Sequence, residues 1–249
     1  MTSHRSRPGQ DAAFAVILAA MLAAYNNLAG RQRWHEEWYP VVNLGATGVA
    51  LAAAAASGLT AADLGLRPDR LAAGLRSAGP PAAALAAGWL ALAAVPATRP
   101  VLGDQRVTGL SWPEAAYQAA VRIPVGTVLW EETAFRGVLQ AALYRVLPRP
   151  AAMVLTSAVF GVWHIRPTVH ALRINQVATG RRAGLGPVTA AVAGTAAAGL
   201  LLSALRERSG SLAAPVLLHL TANCGATLAA RSAAGWNIRR AHIVARSIR

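Results

Sequence analysis

The chain alternates between long apolar stretches and short polar connections. Apolar stretches near the roughly 20 residues that a helix needs to cross a bilayer recur at residues 12–28, 41–62, 81–97, 117–143, 151–164, 185–205 and 212–229. Prolines cluster at the edges of these stretches, where transmembrane helices commonly end. The pattern predicts an all-α, polytopic integral membrane protein with about seven transmembrane helices.

Composition supports a membrane as the solvent of this chain. Of its 249 residues, 55% are hydrophobic and only 14% are charged, which is too apolar for an ordinary soluble domain of this length. The single cysteine, Cys224, excludes an internal disulfide. Because the abundance of alanine and arginine fits a GC-rich bacterial genome, we expect a bacterial cell membrane.

The strong positive charge has two interpretations, nucleic-acid binding and contact with lipid. The formal net charge is +14 with 24 Lys and Arg residues, all of them arginine. Most of these arginines lie between the apolar stretches or in the tail after Arg231, where they would meet anionic lipid headgroups. The distribution therefore favours membrane lipid as a partner and argues against nucleic acid.

Two adjacent carboxylates and a guanidinium interrupt the apolar stretch at 117–143. An ionised side chain near the centre of a bilayer costs about 2.5 to 3.5 kcal/mol, so such a cluster indicates a functional site. Glu132 and Arg136 are four residues apart, the favourable spacing for an ion pair within a helix. Glu131 is rotated by about 100° from Glu132 and points elsewhere. We therefore expect Glu131 to accept a proton from water and the other two residues to be structural.

Two further pairs, each of which includes a polar side chain, lie on later apolar stretches with their members four residues apart on one helix face. They are Phe160 with His164, and His219 with Asn223. Each could be structural alone, as a packing histidine or as an asparagine that joins two helices. Together with Glu131 they supply a proton acceptor, an imidazole that orients water or binds a metal, and donors for an oxyanion. This inventory suits hydrolysis of an amide.

We assign no chemical role to two asparagines of the first apolar stretch or to the four histidines outside the motifs. Asn26 and Asn27 are adjacent in the first stretch, where we expect them to bridge helices. Four histidines lie in polar segments, namely His4, His35, His170 and His242.

The three polar motifs resemble those of a known family. In chain order they are Glu131-Glu132-x-x-x-Arg136, Phe160-x-x-x-His164, and His219-x-x-x-Asn223 preceded by Gly210-Ser211-Leu212-Ala213-Ala214-Pro215. They are similar to the motifs of the CPBP intramembrane proteases, which include the CAAX prenyl endopeptidases and the bacteriocin-processing and immunity-type proteins of bacteria. The resemblance covers Val125 to about Ala230, and three motifs in this order are a specific signal.

The resemblance implies a role for each motif residue. Glu131 would be the general base that activates water, helped by His164. His219 and Asn223 would stabilise the tetrahedral oxyanion. Glu132 and Arg136, with Phe160 as a further supporting residue, would hold the site together.

The need for a metal stays open at this point. The family is commonly labelled metalloprotease, and Glu131, His164 and His219 could complete a three-ligand zinc site. The chain has no HExxH helix, however, and the same residues support a glutamate mechanism without metal. We favour a mechanism without a tightly bound metal.

These inferences divide the chain into three parts and predict its activity. Residues 1–120 would form N-terminal transmembrane helices and loops, 121–230 a CPBP-like catalytic core that encloses an intramembrane active site, and 231–249 a basic tail. The predicted activity is an intramembrane endopeptidase acting on a membrane-associated protein or peptide. The alternatives are a non-proteolytic scaffold or immunity protein that retains the fold, and an ion- or proton-coupled transporter that uses Glu131 differently.

Overall fold

Helices form nearly all of the computed structural model, which describes residues 8–28, 36–177 and 185–247, with side chains described as far as residue 236. No β-strand occurs in these ranges, so the predicted all-α fold is confirmed. The helices are α1 (Pro8–Leu28), α2 (Tyr39–Ala56), α3 (Leu71–Ala94), α4 (Gln105–Thr108), α5 (residues 112–144), α6 (Arg149–Trp163), α7 (Ile165–Ile174), α8 (Leu185–Ser209) and α9 (Ala213–Ser247). Turns of 3₁₀-helix at Pro68–Arg70 and Pro96–Leu102 flank α3.

Five helical segments within the described ranges are long and apolar enough to cross a membrane. They are Pro8–Leu28, Tyr39–Ala56, Pro68–Ala94, Leu185–Ser209 and Ala213–Trp236. The other two stretches that the sequence predicts as spans form α5 and α6. Because α6 has only 15 residues, it is shorter than a typical bilayer-crossing helix. The total of about seven spans therefore stays a prediction.

The central helix of the bundle is α5, which contacts α1, α2, α6, α8 and α9. It starts at a capping box in which Ser111 and Glu114 bond each other's backbone N–H groups, an arrangement that satisfies free donors of a first turn. Two of its segments, Gln118–Leu129 and Glu132–Leu139, are wound as π-helix. π-Helical turns are rare and occur frequently at functional sites. This winding therefore indicates the middle of α5 as a candidate site.

Small residues allow the helices around α5 to approach closely. A Cβ atom built on Gly161 of α6 would lie 2.7 Å from the backbone oxygen of Val192 on α8. At the contact of α3 with α9, a Cβ atom on Gly225 would lie 2.5 Å from the ring of Trp89. The backbones at these two contacts are therefore in place only because the residue is glycine.

The last helix does not end where the sequence analysis divides the chain. α9 begins at Ala213 and runs without interruption to Ser247, through the expected boundary between core and basic tail at residue 231. Most of the expected tail thus continues the helix that carries His219 and Asn223. The side chains beyond Trp236 lie outside the described residues.

Candidate active site

The central helix contributes a fully buried ion pair. Arg136 and Glu132 both have 0% of their side chains exposed, and Nη1 of Arg136 donates to Oε1 of Glu132 over 2.9 Å. The pair that their spacing predicts is therefore present, although within a π-helical rather than an α-helical turn. A buried charge is tolerated when it is paired, so each residue keeps the other inside the bundle.

His219 of α9 joins the same carboxylate. Its Nδ1 lies 2.7 Å from Oε1 of Glu132. A carboxylate that already pairs with a guanidinium is an acceptor, so Nδ1 carries the hydrogen and Glu132 fixes the tautomer of the ring. The opposite nitrogen, Nε2, then accepts a hydrogen bond from Nδ2 of Asn223 over 3.1 Å. Glu132 thus orients Arg136 directly, His219 directly, and Asn223 through His219.

Glu131 is held on one side only. Its Oε1 accepts a hydrogen bond from Nε1 of Trp163 over 3.0 Å. Its Oε2 is buried, has no hydrogen-bond partner among the described residues, and lies 3.9 Å from Nε2 of His219. The residue as a whole is 4% exposed. One carboxylate oxygen is therefore positioned by the protein and the other is available beside an imidazole.

Trp163 is the site residue that the sequence analysis missed. It is 1% exposed, and a buried indole N–H normally has an acceptor. Its position immediately before His164, at the end of an apolar helix, was the signal available. The structure provides that acceptor as Glu131 of the neighbouring helix.

Phe160 lies between the charged groups and the imidazoles. Its ring centroid is 4.1 Å from Cζ of Arg136, a cation–π contact. The same ring meets His164 edge to face at 4.5 Å and His219 at 6.2 Å. An apolar ring thus lies between the two histidines.

His164 sits at the break between α6 and α7. Its Nδ1 donates to the backbone oxygen of Phe160 over 2.7 Å, because a carbonyl oxygen can only accept, and Nε2 is left as an acceptor. The hydrogen bond of Glu131 is made with Trp163 and not with His164. Hydrogen bonds therefore join Glu132, His219 and Asn223. Glu131 lies beside this group, 3.9 Å from His219, and His164 borders it through Phe160.

A cavity of about 570 Å³ opens beside His164. Its walls come from the turn at Pro96–Leu102, from the start of α4 and from α7, and include Val101, Pro167 and Leu172. The described residues thus place one motif histidine at the edge of a space large enough for several side chains.

The polar side chains that line this cavity near α4 form hydrogen bonds with one another. Asp104 accepts from Nη2 of Arg106 over 2.5 Å and from Nδ2 of Asn175 over 3.1 Å. Burial by itself raises the pKa of Asp104, but the hydrogen bonds from Arg106 and Asn175 outweigh burial and leave that pKa below its usual value. Asp104 is therefore ionised at neutral pH and balanced by its arginine.

The expected metal ligands do not fit a metal ion in this arrangement. No group of three or more His, Cys, Asp or Glu side chains is placed to hold one among the residues that the structure describes. Nδ1 of His219 is bonded to Glu132 and its Nε2 to Asn223, while His164 lies on the other side of Phe160. The set of Glu131, His164 and His219 is thus not assembled as the sequence analysis allowed.

The two asparagines of α1 do bridge helices as expected. Nδ2 of Asn26 donates to the backbone oxygen of Trp163 over 3.1 Å, and Nδ2 of Asn27 to that of Val162 over 3.0 Å. Of the histidines without assigned chemistry, His170 is exposed on α7. His4, His35 and the side chain of His242 lie outside the described residues.

Comparison with known proteins identifies the segment that contains this site. Residues 113–225 match the family described as type II CAAX prenyl endopeptidase, Rce1-like. All three polar motifs fall inside the match, so the resemblance inferred from them is confirmed. No curated protein and no solved structure matches the chain.

Proposed function

Since residues 113–225 match the type II CAAX prenyl endopeptidase, Rce1-like, family, we propose that the chain is an intramembrane endopeptidase of the CPBP/CAAX type. It hydrolyses a peptide bond of a membrane-associated protein or peptide. The observation that carries this proposal is the arrangement of Glu131. Its Oε1 accepts a hydrogen bond from Trp163. Its buried Oε2 lies 3.9 Å from the imidazole of His219 and has no hydrogen-bond partner in the part of the chain that the structure describes. A carboxylate placed in this way can take a proton from a water molecule.

The first step of the proposed reaction uses Glu131 as general base. Oε2 removes a proton from water, and the resulting hydroxide adds to the carbonyl carbon of the scissile bond. The C–N bond then breaks while Glu131 returns the proton to the leaving nitrogen. The immediate products are a carboxylic acid and an amine, which become a carboxylate and an ammonium ion when the acid proton passes to the amine, and Glu131 regains its starting protonation state.

Asn223 is the proposed donor to the oxyanion. Its amide nitrogen carries two hydrogens, and Nε2 of His219 accepts one of them. The second hydrogen can stabilise the negative charge that develops on the carbonyl oxygen. Because Glu132 fixes the tautomer of His219, the chain from Arg136 through Glu132 and His219 holds that donor in place. His219 therefore acts mainly by positioning Asn223, which refines the role implied by the resemblance.

His164 is proposed to act from the cavity side. Its Nε2 is the free acceptor of a ring whose Nδ1 is fixed by Phe160, and the ring borders the cavity of about 570 Å³. A substrate segment that enters through this cavity would meet Nε2 before it reaches Glu131. His164 would there orient the water or the leaving group.

The membrane setting completes the proposal. The described residues include five apolar helices long enough to cross a membrane. We therefore treat the chain as an integral membrane protein and place α5 and α6 across the membrane beside these helices. The active site would then lie within the bilayer of a bacterial cell. Its partners would be membrane lipid and a membrane-associated substrate, without nucleic acid.

Proteolysis in liposomes tests the proposal. Wild type should cleave a fluorogenic library of membrane-anchored peptides, and Glu131→Gln should lower the rate about 10² to 10⁴-fold, the usual contribution of a general base. Glu207→Gln is the matched control, because this carboxylate pairs with Arg149 at the far end of α8 and its loss should leave the rate unchanged. A chelator should also leave the rate unchanged, since no step above uses a metal.

Each contrary outcome would favour a different function or mechanism. Cleavage that survives Glu131→Gln would overturn the role of this residue. A folded wild type that cleaves no peptide would favour a scaffold, and proton or ion flux that depends on Glu131 would favour a transporter. Loss of activity in chelator, with recovery on adding zinc, would require a metal-bound state with a different arrangement of His164 and His219.

A further inference from the structure

The end of α1 is bonded to the segment that carries Trp163 and His164. Asn26 and Asn27 donate to the backbone oxygens of Trp163 and Val162. In the reverse direction, Oδ1 of Asn27 accepts from the backbone N–H of Arg166 over 3.0 Å. Two adjacent side chains of one helix therefore hold both sides of the break between α6 and α7.

Hydrogen bonds of this kind stabilise helix ends. The last carbonyls of a helix and the first N–H groups of the next have no partner within their own helices. Asn27 bonds one group of each kind, the carbonyl oxygen of Val162 and the backbone N–H of Arg166. His164, the single residue between α6 and α7, is thus fixed from the direction of α1.

The ring of Trp163 is held by the same helix. Tyr25 stacks on it with the ring planes 7° apart and the centroids at 5.7 Å. The hydroxyl of Tyr25 donates to Oδ1 of Asn43 on α2 over 2.9 Å. On its other edge the indole donates to Oε1 of Glu131. A continuous set of contacts therefore leads from α1 to the carboxylate of the site.

We propose that Asn26 and Asn27 are positioning residues for catalysis, which set the orientation of Glu131 by fixing Trp163. The inference rests on the proposed function. It assigns a role in the reaction to a helix outside the matched segment, residues 113–225. Removing either asparagine frees the backbone beneath Trp163 and lets the indole turn away from Glu131. Such a displacement lowers the rate of the chemical step while substrate binding in the cavity is unchanged.

Kinetics of Asn26→Ala and Asn27→Ala in liposomes test this role. We expect kcat to fall about tenfold with KM within about twofold of wild type, since small misplacements of reacting groups are costly. The matched control is Asp11→Ala, which removes the ion pair of α1 with Arg145. Asp11 lies fifteen residues from Asn26, about 22 Å along the helix, so its loss loosens α1 without touching the site and should leave kcat unchanged.

A double-mutant cycle separates positioning from general loss of structure. Trp163→Phe keeps the ring but removes the donor to Glu131. If the asparagines act through that donor, adding Asn27→Ala to Trp163→Phe should lower kcat by less than about threefold, because the two changes break one chain of contacts. If Asn27→Ala fails to fold, Asn27→Asp keeps the acceptor for Arg166, lacks the donor to Val162, and serves in its place.

The outcomes are distinct for the inference and for the proposed function. Normal kcat in folded Asn26 and Asn27 variants, full multiplication of the effects in the Trp163→Phe background, or an equal fall in Asp11→Ala would each overturn the positioning role while leaving the protease intact. Wild-type cleavage that does not depend on Glu131 would overturn both.

Discussion

The middle of α5 and the first three helices differ in which side chains they bury and which they expose. Every residue from 130 to 143 is buried, including Glu131, Glu132, Arg136 and Gln140. Helices α1, α2 and α3 instead leave large apolar side chains exposed, among them Val16, Val49 and Leu90. In a bilayer the outer surface must be apolar, and polar groups are confined to the interior where they find partners. Burial therefore marks the candidate site in α5, and the exposed apolar surface of α1 to α3 is suited to contact with lipid.

An exception to this contrast lies at the end of α1. Asn26 and Asn27 are polar, half-buried and bonded to α6. The matched segment begins at residue 113, so these two residues lie outside it. Although α1 exposes apolar side chains suited to lipid, its last turn thus makes hydrogen bonds with the segment of α6 that carries Trp163.

The strongest test of the contrast is to break the buried pair. Arg136→Met should destabilise the protein by about 3 to 5 kcal/mol, because it leaves Glu132 buried without its charged partner. Thermal unfolding in detergent measures the effect. Arg149→Met is the control, since 66% of the Arg149 side chain is exposed at its ion pair with Glu207 and an exposed pair contributes little. Equal destabilisation by the two variants would remove the distinction between interior and surface charges.

How much of this could be predicted from the sequence follows from the kind of contact involved. Spacing along one helix predicts the pair of Glu132 and Arg136, because both residues share a face. Spacing cannot predict that His219 also bonds Glu132, or that Trp163 bonds Glu131, because those contacts depend on how α9 and α6 pack against α5. Spacing therefore predicts the contact within one helix but not the contacts between helices, and the roles that the sequence analysis assigns to these residues leave out Trp163.

The π-helical winding of α5 could not be predicted for the same reason. An apolar stretch with Pro124 and adjacent glutamates is compatible with an ordinary α-helix, for which Glu131 and Glu132 would be about 100° apart. The structure winds Glu132–Leu139 as π-helix, which changes the direction of each side chain relative to its neighbours. The hydrophobic pattern predicts that a helix is present and does not fix its pitch.

A second test compares contacts made by small residues. Gly161→Ala should destabilise the protein by about 1 to 3 kcal/mol, the usual cost of overpacking, since the new methyl group would lie 2.7 Å from the backbone oxygen of Val192. A backbone atom cannot rotate away as a side chain can, so α6 and α8 would have to separate. Chemical unfolding in detergent measures the cost. An unchanged stability would mean that the two helices are less tightly joined than their contact indicates.

The smallest effect is expected from the same chemical change on the lipid-facing side. Gly88 lies exposed on α3, and a Cβ atom built there has no neighbour within 4 Å. Gly88→Ala should therefore stabilise the protein by about 0.5 to 1 kcal/mol, because alanine loses less conformational freedom than glycine on forming a helix. The same unfolding assay gives the sign. Destabilisation at Gly88 as large as that at Gly161 would mean that α3 is covered by another surface, and the contrast between a buried α5 and lipid-facing outer helices would then fail at α3.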